Sequence, residues 1–307
     1  MPVVRDFDGW PHGPLHLAIG VFDGVHVGHQ FLIAELRKAA ESAGALPVVA
    51  TFDPLPIEVL APGAPPSALS DASERAELLE RAGAMAVVLF RSDPSFFALT
   101  AEQFADRVAR AGEVRLVVVG PDFRFGHDRQ GDVALLESLG RSRGWRVDVV
   151  PPVERGGAIV SSTRIRNLLV AGDLRAAADL LGRPYGVRGR VVHGDKRGRA
   201  LGFPTLNVAT PRERLLPRDG IYAARATIGD RTYAAATSLG VRPTFGGTER
   251  VLECYLLDVE GDLYGQNVRV AFVERLRDEL RFESGEALSA QIAKDVEATR
   301  RALAEDA

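Results

Sequence analysis

Apolar residues in the first part of the chain come in short dense runs separated by longer amphipathic stretches. Leu15–Phe22, Pro47–Phe52, Met85–Phe90, Val114–Val119 and Arg146–Val150 have strand length, and several are apolar at nearly every position. Strands covered on both faces read this way. Between them the spacing turns helical. Gln30–Ala43 carries Leu32, Ile33, Leu36, Ala39 and Ala40 on one stripe, and Gly44 stands where a left-handed C-terminal glycine belongs. Asp71 with Glu74, and Thr100 with Gln103, have the spacing of capping boxes. The alternation predicts an α/β domain, a parallel sheet with helices on both faces, and ligands of such sheets bind beyond the carboxyl ends of the strands.

The pattern changes after a short helix expected over Asp173–Gly182. From Tyr185 onward short alternating segments are punctuated by glycine. Ile221–Ile228 and Arg231–Ser238 flank Gly229-Asp230, the signature of a tight hairpin. Val251–Leu257 and Val268–Val273 read as further strands, and the set predicts a small antiparallel β-barrel. Ser284 is a candidate N-cap for a C-terminal helix whose apolar stripe is Leu288, Ile292 and Val296. The domain boundary falls at 183/184, giving domains 1–183 and 184–307. Ala61–Ser67, with three prolines, reads as a loop.

Composition narrows the classes. The 307 residues suffice for two domains, and 46% hydrophobic with 26% charged residues is ordinary soluble usage. The net charge of −3 comes with no long basic block, which argues against a nucleic-acid partner. Cys254 is the only cysteine, so an intramolecular disulfide and a cysteine-rich zinc site are excluded. Met1–Trp10 holds two acidic residues and no apolar run, unlike a secretory signal. No apolar stretch approaches the roughly 18 residues of a membrane span. These features predict a cytoplasmic protein without a membrane partner, and leave self-association open.

Two constellations carry chemistry. The first follows the first strand of the α/β pattern: Gly20-Val21-Phe22-Asp23-Gly24-Val25-His26-Val27-Gly28-His29-Gln30 leads straight into a helix. Glycines permit a tight turn and close backbone approach, and a helix N-terminus offers free N–H groups to an anion. His26 and His29 can donate to phosphate oxygens as charge develops. Alone, such a turn could hold two solvated histidines. Later, Ser161-Ser162-Thr163-Arg164-Ile165-Arg166 opens a helix with arginines in its first turn. That arrangement opposes the macrodipole by roughly 0.3–1 kcal/mol, a penalty that a bound polyphosphate reverses.

The second constellation lies after the boundary. In Gly189–Arg199, the glycines Gly194 and Gly198 space a basic loop containing Lys196, Arg197 and Arg199, suited to phosphates although it lacks P-loop spacing. Thr205 and Asn207 alternate in register, so an extended chain points both oxygens one way, as a Mg²⁺ shell completed by ATP phosphates and water would need. Glu253 interrupts an apolar strand. It is either a site residue or an outward polar position. Val251, Tyr255 and Leu257 on its own face favour an inward carboxylate, a candidate general base.

With these residues quoted, a resemblance becomes specific. His26-x-Gly-His29 with Ser161-Ser162-Thr163-x-Ile165-Arg166 resembles the signature pair of nucleotidylyltransferases. Gly20–Gln30, and Val117–Gly126 with Gly120, Asp122, Phe123 and Phe125, resemble the adenylyltransferase module of bifunctional riboflavin kinase/FAD synthetases. Gly202-Phe203-Pro204-Thr205-x-Asn207 is similar to the magnesium motif of the kinase module of that family. Leu239–Phe245 with Arg242, Leu252-Glu253, Asp262–Gly265, Leu276-Arg277-x-Glu279 and Gln291-Ile292-x-x-Asp295 follow in family order. The resemblance implies a Rossmann-like N-terminal domain and a flavin-binding barrel. It implies riboflavin, FMN and ATP as substrates and Mg²⁺ as cofactor. His26, His29 and Arg164 or Arg166 would stabilise the transferring phosphate, and Gly20, Phe22, Asp23, Gly24, Gly28 and Ser161–Thr163 would form the nucleotide and flavin surroundings. Thr205 and Asn207 would hold Mg²⁺–ATP, with Gly194, Lys196, Gly198 and Arg242 beside the ligands. Glu253 would accept the riboflavin 5′-hydroxyl proton.

One position departs. The family usually has Phe-x-Pro-His-Pro after the second strand, and this chain has Phe52-Asp53-Pro54-Leu55-Pro56. Losing one phosphate donor can remove about 3 kcal/mol of transition-state stabilisation. Two other readings compete: an adenylyltransferase for a different phosphorylated substrate with an accessory barrel, and a non-catalytic flavin-binding regulator. The Pro-Thr-x-Asn and Glu253 set opposes the first. The presence of His26, His29, Thr205, Asn207 and Glu253 together opposes the second.

Overall fold

The computed structural model describes residues 1–61, 63, 67–193, 203–244, 247–259 and 263–305. The proline-rich loop expected at Ala61–Ser67 lies largely outside them. Contacts between Cα atoms divide the chain into two compact units, Met1–Ser162 and Thr163–Ala307.

The first unit is built on a six-stranded parallel sheet of order β1-β4-β3-β2-β5-β6. Its strands are β1 (Val3–Arg5), β2 (Pro14–Ile19), β3 (Leu46–Asp53), β4 (Ala86–Arg91), β5 (Glu113–Val119) and β6 (Arg146–Val149). All pair in parallel. The five expected strands are present. β1 is an addition: three residues with little burial give almost no periodic signal, and it forms only because β4 offers an edge.

Alternation decides which helix covers which side. Leu17, Ile19, Val48, Ala50, Val88, Phe90, Val117 and Val119 face α5 (Ala101–Ala111) and α6 (Val133–Arg143) in one core layer. Ala18, Val49, Val87, Leu89, Leu116 and Val118 face α1 (Val27–Ala43) and α3 (Ala72–Ala82) in the other. The caps sit where the composition puts them. Gly44 ends α1 in a left-handed conformation, Asp71 accepts the Glu74 N–H, and Thr100 with Gln103 forms both halves of a capping box.

The second unit carries a closed antiparallel barrel of order β10-β13-β12-β11-β14-β9. Its strands are β9 (Gly186–Val192), β10 (Thr205–Ala209), β11 (Gly220–Ile228), β12 (Arg231–Thr244), β13 (Gly247–Leu256) and β14 (Asn267–Arg277); the numbering passes over a short hairpin, β7 (Glu154–Arg155) with β8 (Ala158–Ile159), in the first unit. Ile228 pairs with Arg231, so Gly229-Asp230 is the expected two-residue turn. Tyr222, Ala224, Thr237, Leu239, Leu252, Cys254, Val270 and Phe272 are buried in the barrel core. Two helices, α7 (Ser162–Ala171) and α8 (Leu174–Leu181), precede the barrel, and α8 packs against β14.

Two expectations need correction. Glu253 does not face the barrel core. Leu252, Cys254 and Leu256 occupy the inner positions of β13, and Glu253 lies half-buried on the outer face with Val251 and Tyr255. The alternation was legible, but the inner face is chosen by register, which sets Cys254 opposite Thr237. Leu257, buried beyond the end of β13, does not belong to the Glu253 face. The last helix, α9 (Gly285–Glu305), starts at its expected cap, where Ser284 Oγ accepts the Ala287 N–H at 3.2 Å. Its most buried residues are Asp295, Thr299 and Ala302, while Leu288, Ile292 and Val296 are only half-buried. Arg277 forks onto Asp295 at 2.9 and 2.6 Å, and Gln291 donates to the same carboxylate at 3.0 Å, which turns this polar residue inward.

Candidate active sites

β2 and β5 lie side by side, and the chain continues from them toward opposite edges of the sheet. The crevice beyond their carboxyl ends is where open α/β sheets bind ligands. The segment Gly20–His26 follows β2, and Gly120–Phe125 follows β5. A Cβ at Gly120 would meet nothing within 4 Å, so the crevice is open there.

The Gly20–His26 loop has an unusual backbone. Phe22 (φ 49°), Gly24 (φ 78°) and Val25 (φ 42°) are left-handed. For the two non-glycine residues this costs of order 1–3 kcal/mol each, most of all for a β-branched valine, and persists only where neighbours over-determine it. The anchors are present. Thr51 Oγ1 donates to Val21 O at 2.7 Å, Gln30 Nε2 to Val25 O at 2.8 Å, and Ser162 Oγ to Asp23 O at 2.9 Å. The last bond ties Ser162 to the histidine loop.

The loop delivers two imidazoles. His26 is the N-cap of α1, its Nδ1 accepting the His29 N–H at 3.3 Å. The rings stack with centroids 3.5 Å apart and 18° between planes, and Phe22 meets His29 edge-on at 5.1 Å. A Cβ at Gly28 would come within 3.2 Å of the His26 ring, and one at Gly20 within 3.0 Å of the Phe22 ring. Both glycines therefore make room for the aromatic stack. His29 Nδ1 is buried without a hydrogen-bond partner. Burial, and secondarily the charge of His26, holds the His29 pKa well below its ordinary value of 6.5. A neutral ring with an unsatisfied buried nitrogen is poised for a ligand that offers charge or a hydrogen bond.

The other expected residues separate by position. Ser161 and Ser162 are half-buried, Thr163 is exposed, and Arg164 and Arg166 follow half-buried in the first turns of α7. Asp122 is exposed. Phe123 is half-buried and stacks on Phe125 at 5.6 Å, while Phe125 belongs to the core beside Phe104. The Asp23 carboxylate is buried and turned toward Leu69 and Ser70. Leu55 is buried, and its N–H is taken by Glu58 Oε2 at 2.9 Å, so no donor side chain stands where the family usually has histidine.

The barrel brings its candidates together through register. Thr205 pairs with Tyr255 and Asn207 with Glu253 across β10 and β13, and Ser238 of β12 lies on the other flank of Glu253. Directly opposed residues share a face, so Thr205, Asn207 and Glu253 form one outer patch, in which Thr205 and Glu253 are half-buried and Asn207 is buried. Phe203 meets Tyr255 edge-on at 5.3 Å beside it. Glu279, given no role in the sequence reading, joins this patch. A Cβ at Gly240 would collide with the Glu279 carboxylate, so the glycine is the seat of that side chain. The Glu279 pKa is raised by partial burial, then by Asp219 and Glu253. The family string containing Glu279 pointed to this residue; spacing alone did not. Gly194, Lys196 and Gly198 lie outside the described residues, as does the side chain of Arg242. Cys254 is inert: burial pushes its thiol up to about 12.

Comparison with known proteins agrees with this division. A family model described as FAD synthetase matches residues 11–164, and one described as riboflavin kinase matches residues 181–303. A bifunctional riboflavin kinase/FMN adenylyltransferase of Escherichia coli (strain K12) is 39% identical over 281 residues, covering 91% of this chain and 90% of that protein. One of Pseudomonas fluorescens is 40% identical over 291 residues, covering 94% and 93%. A solved structure titled as a macrolide-efflux protein from Streptococcus pneumoniae superposes with a TM-score of 0.88 at 34% identity, covering 98% of this chain and 99% of that one. Among the described residues of this chain, no helix is long and apolar enough to cross a membrane. Two matched modules, each containing its assembled residues, and full-length relatives at this identity show that the chain belongs to the bifunctional riboflavin kinase/FMN adenylyltransferase family.

Proposed function

We propose that the barrel unit phosphorylates riboflavin to FMN with Mg²⁺–ATP, and that the α/β unit transfers AMP from a second ATP to FMN, yielding FAD and pyrophosphate. The observation that carries this reading is a double one of the same kind. Asn207 stands opposite Glu253 in the barrel, and the stacked histidines are tied through Asp23 to Ser162 in the α/β unit.

In the kinase step, Glu253 accepts the proton of the riboflavin 5′-hydroxyl as that oxygen attacks the γ-phosphorus of ATP. The new O–P bond forms as the bond to the β-phosphate bridging oxygen breaks, and ADP leaves. Thr205 and Asn207 supply a hydroxyl and an amide oxygen on one face, hard neutral donors of the kind Mg²⁺ takes together with phosphates and water. When bound there, Mg²⁺ neutralises charge on the phosphates. Among the described residues no group of three or more His, Cys, Asp and Glu side chains could hold a metal by itself.

In the adenylyl step, an FMN phosphate oxygen attacks the α-phosphorus of ATP and pyrophosphate leaves. His26 and His29 sit at the start of α1, where N–H groups and imidazole donors stabilise an anion. By the family resemblance, Arg164 or Arg166 would help stabilise the transferring charge. Positioning and electrostatics are sufficient, with no covalent intermediate. We assign residues 1–183 to the adenylyl function and 184–307 to the kinase function, both in the cytoplasm, where ATP is the co-substrate of each. The test is chromatography of pure protein incubated with riboflavin, ATP and Mg²⁺. FMN followed by FAD is expected, and absence of either product removes the corresponding half of the reading.

A further inference from the structure

We propose that Ser70 is a positioning residue for adenylyl transfer: with Asp23 and Arg75 it locks the loop that ends in His26 and leads into the first turn of α1, where His29 stands, and the Asp23 carboxylate serves this joint rather than the nucleotide. The inference rests on the adenylyltransferase reading above. Every polar atom of Ser70 is engaged. Its N–H and its hydroxyl donate to Asp23 Oδ1 at 3.0 and 3.1 Å, and its Oγ accepts the Gly24 N–H at 2.9 Å. Its carbonyl accepts Arg75 Nη1 at 3.3 Å. Asp23 also takes the Leu69 N–H on both oxygens at 3.0 Å, and Arg75 Nη2 donates to Phe52 O at the end of β3. Ser70, Asp23 and Arg75 are each 1% exposed. The joint is therefore enclosed, with these polar groups bonded within the protein rather than to solvent.

What it holds is the backbone that aims the histidines. Val25 is left-handed, immediately precedes His26, and immediately follows the Gly24 N–H that Ser70 accepts. A β-branched residue leaves that conformation once its surroundings stop imposing it. Relaxation there turns His26 away from the α1 N-terminus and opens the stack on His29. The same Asp23 carries the Ser162 hydrogen bond on its carbonyl, so the joint also holds Ser162. Arg75 balances the buried carboxylate. Its burial opposes its charge, and Asp23 is the foremost of the carboxylates that sustain it.

The experiment uses the full chain, with FAD formation from FMN and FMN formation from riboflavin measured on the same preparations. Ser70→Ala should lower kcat for FAD formation by about 10- to 100-fold, with a smaller change in KM for ATP, since a small misplacement of catalytic groups acts on the transition state. Riboflavin phosphorylation should be unchanged. The His29 imidazole titration, followed by NMR, should move upward toward the ordinary histidine value as the loosened ring is rehydrated. Ser70→Thr, which keeps the hydroxyl, should retain the wild-type kcat and titration. Unchanged FAD formation in Ser70→Ala, a loss shared by Ser70→Thr, or a loss without a shift at His29 would each overturn the proposal. If Ser70→Ala does not fold, Asp23→Asn, isosteric but unable to accept on both sides, is read by the same criteria. Wild-type protein that forms no FAD would instead refute the adenylyltransferase reading itself.

Discussion

Glu253 and His29 show how far single residues carry a function. Glu253→Gln keeps the shape and hydrogen-bonding reach of the side chain but cannot accept a proton. Riboflavin phosphorylation should fall by at least about 100-fold, the usual contribution of a general base, while FMN-to-FAD conversion persists. His29→Ala should do the reverse, and equal loss of both activities in either variant would contradict separate sites. His29 also links site to stability. Its pKa is well below 6.5 in the folded chain, so the unfolded chain protonates first on acidification. The stabilisation from burying the neutral ring is present above 6.5 and is lost as pH falls from there toward the folded-state value. His29→Asn should therefore flatten the fall in stability between about pH 7.5 and about pH 5, measured by urea unfolding. The residue types of both sites were legible, because phosphate chemistry demands them at set spacings. Ser70 and Arg75 were not. Ser70 reads as the residue before a helix cap, and Arg75 as one more charge on α3; only the fold shows that both are buried.

At the scale of elements, the sequence predicted existence better than orientation. The five strands, and α1, α3 and α5 of the covering helices, are where the periodicity and capping pairs put them, since a strand covered on both faces has no wrong side. β13 and α9 each have one, and there the apolar stripe misled. Val251 and Tyr255 are apolar because the outer face of the barrel is itself half covered, and α9 turns an aspartate inward because Arg277 meets it. The pair is nearly enclosed, with side-chain exposures of 19% for Arg277 and 8% for Asp295. Asp295→Ala leaves that guanidinium without its fork and should destabilise the second unit by about 3 kcal/mol. Arg300, on the same helix as Asp295, pairs with Asp258 just beyond β13 at 2.8 Å, but both are exposed, and Arg300→Ala should change stability by less than about 1 kcal/mol. Denaturant unfolding of the two variants separates them, and equal effects would remove the special role given to Asp295.

For the whole molecule the question is where one unit ends. The functional boundary drawn at 183/184 follows the change in pattern, and the riboflavin kinase family model begins at residue 181. The compact units divide after Ser162. The difference is α7 and α8. Leu174, Ala177, Leu180 and Leu181 of α8 are almost fully buried, and α8 packs on β14. A fragment 184–307 exposes that face of β14, whereas 163–307 keeps it covered. The longer fragment should unfold cooperatively and retain riboflavin phosphorylation, and the shorter should unfold at lower denaturant. Indistinguishable transitions would restore 183/184 as the physical boundary.

By itself the sequence determined the kinds and order of most elements, the two sets of chemical groups and their family. Those properties depend on local spacing, on turn residues and on which atoms can bind phosphate or accept a proton. The tertiary structure alone decided that Asn207 meets Glu253 outside the barrel, that Asp295 faces in, and that Asp23 turns its carboxylate to Ser70. Each depends on register and contact between segments far apart in the chain, and burial is a property of the neighbours as much as of the residue.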